Sequence, residues 1–136
     1  MDIENDVLKP VAERIRQKAD SLRGLHRFVN AGIEGWLKVE AVRALGTIVR
    51  GLRGKVPDLE LNDGTLIELK AGTGRSTHDF AVGCKYGTAC IFLAAGHDPS
   101  HQAAFLSKLM LQVNLLAYEI IPDGSDDWVL GLIVPR

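Results

Sequence analysis

The pattern of apolar and polar positions predicts most of the elements of this chain. Leu8, Val11, Ile15 and Leu22 recur at helical spacing with charges between them, which predicts a helix over residues 3–22. Pro10 fits only an early turn, so the regular part is expected from about residue 8. A second helix is expected from Ile33 to Leu45, with Gly46 as its stop. Thr47–Arg50 is short and β-branched, a strand. Residues 56–61 and 65–71 read as two strands around Asn62-Asp63-Gly64, and residues 76–86 as a short helix in a Gly-rich stretch. The continuous apolar run 88–95 predicts a strand covered on both faces. Asp98, Pro99 and Ser100 open a third helix expected to reach Tyr118. Its apolar residues, from Phe105 to Ala117, cover more than one stripe, as in a buried or self-associating helix. Asp123-Gly124 reads as a turn before a last strand at 128–134. The order is α-α-β-β-β-(α)-β-α-β, an α/β fold with a mixed central sheet and flanking helices.

The hairpin is the most informative segment, because register decides which side chains share a face. A two-residue Asp63-Gly64 loop would leave both faces mixed. A three-residue loop, Asn62-Asp63-Gly64, with a left-handed Gly64 sorts the strands. One face then carries Val56, Asp58, Glu60, Leu66, Glu68 and Lys70, and the other Pro57, Leu59, Leu61, Thr65, Ile67 and Leu69. Asp58 stands opposite Glu68, with Cβ atoms roughly 4.5–5.5 Å apart. Facing carboxylates repel unless something lies between them. A divalent cation removes that penalty, and hard oxygen ligands suit Mg²⁺. Lys70, on the same face, offers an ammonium for developing negative charge. An amphipathic hairpin with a wetted polar face is the plain alternative.

Composition narrows the classes. The chain has 136 residues, 46% hydrophobic and 24% charged, as in a globular protein of one domain. Residues 1–30 are expected as a helical extension and 31–136 as the core. No apolar run is long enough for a membrane span, and the acidic start Met1-Asp2-Ile3-Glu4-Asn5-Asp6 is unlike a secretory signal. Cys84 and Cys90 are read as reduced packing thiols in a cytoplasmic protein. The net charge of −1 is uneven: residues 1–56 are basic and the remainder acidic, an arrangement compatible with phosphate contacts but also with plain solvated surface.

Pro57-Asp58, nine intervening residues and then Glu68-Leu69-Lys70 resemble the PD-(D/E)XK motif of the restriction-endonuclease-like nuclease superfamily. The strand–turn–strand setting, the upstream glutamate helix and an α-β-β-β-α-β order from residue 31 strengthen the likeness. The resemblance implies a Mg²⁺- or Mn²⁺-dependent nuclease cutting DNA phosphodiester bonds, as an endonuclease. Asp58, Glu68 and the carbonyl of Leu69 would hold the metal, and Lys70 would orient or activate the attacking water. A helix acid usually completes such a site, and Glu34 and Glu40 both qualify. On a 100° helical wheel, Glu40 falls inside the apolar arc and Glu34 at its edge. Against that, Glu34-Gly35-Trp36-Leu37-Lys38-Val39-Glu40 is similar to the glutamate-led helix of archaeal Holliday-junction resolvases, which favours Glu34. A surface role for either, paired with Lys38 or Arg43, is the alternative.

Arg75 lies in the loop directly after Lys70, which reads either as an approach to a nucleic-acid backbone or as a plain connection; Lys85, with His78 and Tyr86, lies where such nucleases contact substrate, and Arg53 and Lys55 near the hairpin are candidate phosphate contacts. Gly72-Thr73-Gly74-Arg75-Ser76 lacks the ending of a phosphate-binding P-loop, and His97 and His101 lack a zinc motif. DNA is the expected partner, and the wide apolar surface of the third helix suggests a homodimer. The competing reading is a catalytically silent nuclease-fold module that binds nucleic acid or serves in an assembly.

Overall fold

Alternating side chains in the centre of the chain give the sheet two different faces, and helices cover both. The fold is taken from a computed structural model, which describes residues 2–24, 30–52, 57–73, 75–85, 87–95, 98–122 and 127–136. A π-helical turn, Glu4–Leu8, leads into α1 (Lys9–Arg16), α2 (Ala19–Gly24) and α3 (Asn30–Leu45). A 3₁₀ turn precedes β1 (Val49–Leu52), then β2 (Leu59–Leu61), β3 (Leu66–Gly72), α4 (Thr77–Val82) and a second 3₁₀ turn, Gly83–Lys85. β4 (Ala89–Ala95), α5 (Pro99–Leu109), β5 (Asn114–Pro122) and β6 (Asp127–Val134) complete the described elements. The six strands form one mixed sheet in the order β1-β2-β3-β4-β6-β5. β3 and β4 are parallel and the other neighbours antiparallel. The α/β class with a mixed sheet and flanking helices is therefore the fold expected from the sequence.

The central hairpin has the expected register. Leu59 pairs with Ile67 and Glu60 with Leu66. The Leu61 N–H bonds the Thr65 carbonyl at 2.9 Å, and the Gly64 N–H closes on the Leu61 carbonyl at 3.0 Å. Gly64 has φ +90°, a conformation that side chains disfavour. Leu59, Leu61, Ile67, Leu69 and Ala71 join Ile33, Leu37 and Ala41 of α3 and Val11 and Ile15 of α1 in one core. On the opposite face, Cys90, Phe92 and Ala94 of β4 pack with Phe80 of α4 and Leu106 and Leu109 of α5. The Phe92 ring lies over Gly131, where a Cβ would collide with it. β4 is buried along both faces, as its unbroken apolar run requires.

Two helix expectations are corrected. The segment from Asp98 to Tyr118 is not one helix. α5 opens as expected, with Asp98 accepting from the His101 N–H at 2.9 Å, but it ends at Leu109, and residues 114–122 form β5. Exposed and partly covered positions alternate along β5, the period of an edge strand beside β6. The apolar run around Leu115 and Leu116 does not tell helix from strand, and neither Gly nor Pro marks the change. The predicted helix over residues 3–22 is likewise divided, at Gln17-Lys18. Its regular part does begin near residue 8, after the π turn. The Asp123-Gly124 turn lies outside the described residues. Among those described, no helix is long and apolar enough to cross a membrane.

Candidate functional site

The candidate site forms where β3 outruns β2. Past Ile67, β3 pairs with β4 on one side as far as Gly72, but β2 no longer reaches it on the other. Backbone N–H groups on that open side need acceptors, and carboxylates supply them. Asp58 Oδ2 accepts from the Leu69 N–H at 2.9 Å. Glu34 Oε1 accepts from the Ala71 N–H at 3.3 Å. In an extended strand a residue's C=O points to the same side as its N–H, so the Leu69 carbonyl also faces this opening.

Continuing the hairpin register sets Asp58 across from Glu68, and the two carboxyl groups interact. Glu68 is 1% exposed. Its Oε1 takes a weak 3.3 Å bond from the Leu69 N–H, while the buried Oε2 has no hydrogen-bond partner. Burial, then a hydrogen bond that the protonated carboxyl donates to Asp58 and the negative charge of Asp58, push the Glu68 carboxyl up to about 8, opposed by the Leu69 N–H and the Lys70 ammonium. A buried acid with an unpaired oxygen beside a second acid is costly. It is relieved by a proton or by a cation.

Lys70 follows on the same strand face. Its stem packs over Gly83, where an added Cβ would lie 3.0 Å from Lys70 Cγ and 2.8 Å from Cys90 Sγ. The absence of a side chain at Gly83 thus lets the second 3₁₀ turn close over the lysine. Burial raises both thiols, Cys84 to about 11 and Cys90 well above its ordinary value, so both are protonated packing groups at neutral pH.

The two helix acids diverge. Glu34 faces the open edge of β3 and is held there by Arg75, whose guanidinium lies 2.8 Å from Glu34 Oε1. Glu40 is turned to α1 and bound by Arg14 Nε at 2.6 Å and by Arg43 at 3.4 Å. The inward carboxylate that the wheel singles out is therefore an anchor between helices. Lys38 pairs with Asp58 at 3.5 Å, a contact across elements that local spacing on the helix does not display. The proximity of Lys38 to Glu34 on the wheel is a usable signal, since one turn of the helix puts both on the same flank.

Among the described residues, no three His, Cys, Asp or Glu side chains converge as a metal site. The donors at the opening are two carboxylates and a backbone carbonyl. That set fits a hard divalent ion which keeps several waters, and the partnerless Glu68 Oε2 is the acceptor it would satisfy. Lys85 is exposed at the end of the second 3₁₀ turn, and His78 is exposed on α4. Arg53, Lys55, Tyr86 and His97 lie outside the described residues. Compared with known proteins, the chain matches no family model, no curated protein and no solved structure.

Proposed function

We propose that the chain is a Mg²⁺- or Mn²⁺-dependent nuclease of the restriction-endonuclease-like class, hydrolysing DNA phosphodiester bonds as an endonuclease. The observation that carries this reading is the buried, partnerless Oε2 of Glu68 beside Asp58, two residues before Lys70. The run α3-β1-β2-β3-α4-β4, with antiparallel β1-β2-β3 and a parallel β4 beside β3, supports it.

In this reading Asp58, Glu68 and the Leu69 carbonyl hold the divalent ion. When bound, the ion supplies Lewis-acid polarisation of the phosphate and lowers the pKa of a coordinated water. Lys70 orients the attacking water in line with the leaving oxygen and stabilises the charge that develops on phosphorus-bound oxygens. The packing of its stem on Gly83 limits the positions its ammonium can take. Lys38 and Arg75 stand beside the acids as cations for the flanking phosphates, with Lys85 further out. A second copy of the chain belongs to this reading. The exposed Leu116 and Tyr118 of edge strand β5, with Met110 and Leu111, form its apolar surface.

The second reading, a silent binding module, draws on the ion pairs that already occupy Asp58 and Glu34. A panel of linear, nicked and branched DNAs with Mg²⁺ separates the two. The nuclease reading expects cleavage that falls by roughly 10²–10⁴-fold in Asp58→Asn and in Lys70→Ala, both folded. Unchanged cleavage in those variants excludes the site, and divalent binding with no cleavage of any substrate favours the module.

A further inference from the structure

The open side of β3 presents two N–H groups in succession, those of Leu69 and Ala71. Asp58 covers the first and Glu34 the second. Same-side groups along a strand are about 6.6 Å apart, so Glu34 stands one repeat beyond Asp58 on a single edge. That offset accounts for the lack of a three-acid cluster among the described residues.

Arg75 makes the shorter of the two contacts that hold Glu34 there. Its terminal nitrogen lies 2.8 Å from Glu34 Oε1, and its Nε–H donates to the Ala71 carbonyl at 2.9 Å. One guanidinium thus grips the acid and also the backbone of the residue that this acid covers. The two side chains are 19% and 26% exposed, so solvent and salt screen the pair less than they screen a surface bridge. A guanidinium fork matches a phosphate as well as it matches a carboxylate. The partnerless Glu68 Oε2 marks where a further ligand is wanted.

We infer that Arg75 is a positioning residue that sets how many carboxylates the site offers a divalent cation, and that a phosphodiester is the group that draws it off Glu34. This rests on the reading of Asp58 and Glu68 as ion ligands. With Arg75 on Glu34, the cation meets Asp58, Glu68 and the Leu69 carbonyl. With Arg75 turned to a phosphate, Glu34 keeps only the 3.3 Å bond from the Ala71 N–H, and its carboxylate turns toward Asp58 as the third acid. Substrate therefore completes the site that acts on it.

Mn²⁺ titration of the full chain, followed by loss of the free-ion paramagnetic resonance signal, tests this without requiring cleavage. Arg75→Gln is expected to tighten Mn²⁺ binding about tenfold, the scale on which groups behind a metal ligand act. Glu34→Gln alone leaves the affinity within about twofold, and the double variant returns to the wild-type value. Added dimethyl phosphate, a small phosphodiester, tightens Mn²⁺ binding in the wild type and not in Arg75→Gln. Should Arg75→Gln fail to fold, Arg75→Lys gives a smaller gain with the same dependence on Glu34, since an ammonium lacks the fork that spans acid and carbonyl. An Arg75 effect that is absent, or that is the same with and without the Glu34→Gln change, overturns the inference. Mn²⁺ binding that is lost in Asp58→Asn but indifferent to Arg75 sinks this inference and leaves the ion site standing. No Mn²⁺ binding by any form removes both.

Discussion

Glu40 and Glu68 are both carboxylates shut away from water, at 4% and 1% exposure, yet they are held in opposite ways. Glu40 has an arginine on each oxygen, Arg14 at 2.6 Å and Arg43 at 3.4 Å. Its charge is answered within the fold, and the answer joins α1 to α3. Glu68 has one weak backbone bond, an oxygen with no partner and a second acid beside it. Burial is common to both, so burial alone does not mark a site. The difference lies in whether the protein supplies the compensating charge itself.

Cleavage should separate the two acids most strongly. Glu68→Gln is expected to lower the rate by roughly a thousandfold, the scale on which acid–base and ion-holding groups act. Glu40→Gln, assayed per folded molecule, should change it by less than about threefold. Comparable losses in both would erase the contrast.

Stability should respond in the reverse sense. Arg14→Ala leaves the buried Glu40 with only its exposed partner Arg43 and is expected to cost roughly 3 kcal/mol, read from urea denaturation. The pH dependence sharpens the comparison further. In the folded protein without divalent ions, Glu68 keeps its proton up to about pH 8, whereas an ordinary glutamate releases it near 4.5. The folded state binds the extra proton between those values, so stability falls as pH rises from about 5 to about 8 and then levels off. The urea midpoint should follow that course in the wild type and lose that slope in Glu68→Gln. A midpoint that stays flat through this window would mean that Glu68 is already ionised there. The smallest effect is expected from Arg43→Ala, under about 1 kcal/mol, because this arginine is largely in solvent and its bond is long.

The two acids also differ in how legible they are in the sequence. The environment of Glu68 is set locally: three turn residues and two short strands fix what faces it, and only one register sorts leucines from charges. Glu40 and Glu34 cannot be assigned from their own helix. An angle on a wheel gives the flank but not what lies there, and α1 and the open edge of β3 are brought in from distant parts of the chain. The partner of Lys38 is hidden for the same reason, since Asp58 lies in the hairpin and not one turn along α3. The end of α5 fails differently. An apolar stretch without alternating charges suits helix and strand alike, and only the free edge of β6 decides that residues 114–122 extend.

The Asn62-Asp63-Gly64 turn has a consequence out of proportion to its size. Strand side chains point alternately up and down, so adding or deleting one residue in that loop exchanges the two sides of whichever strand slides. Asp58 would be delivered among the leucines under α3 while Glu68 stayed where it is. On the proposed reading, a length change of one residue at this bend would undo the pairing of the two acids as surely as removing one of them.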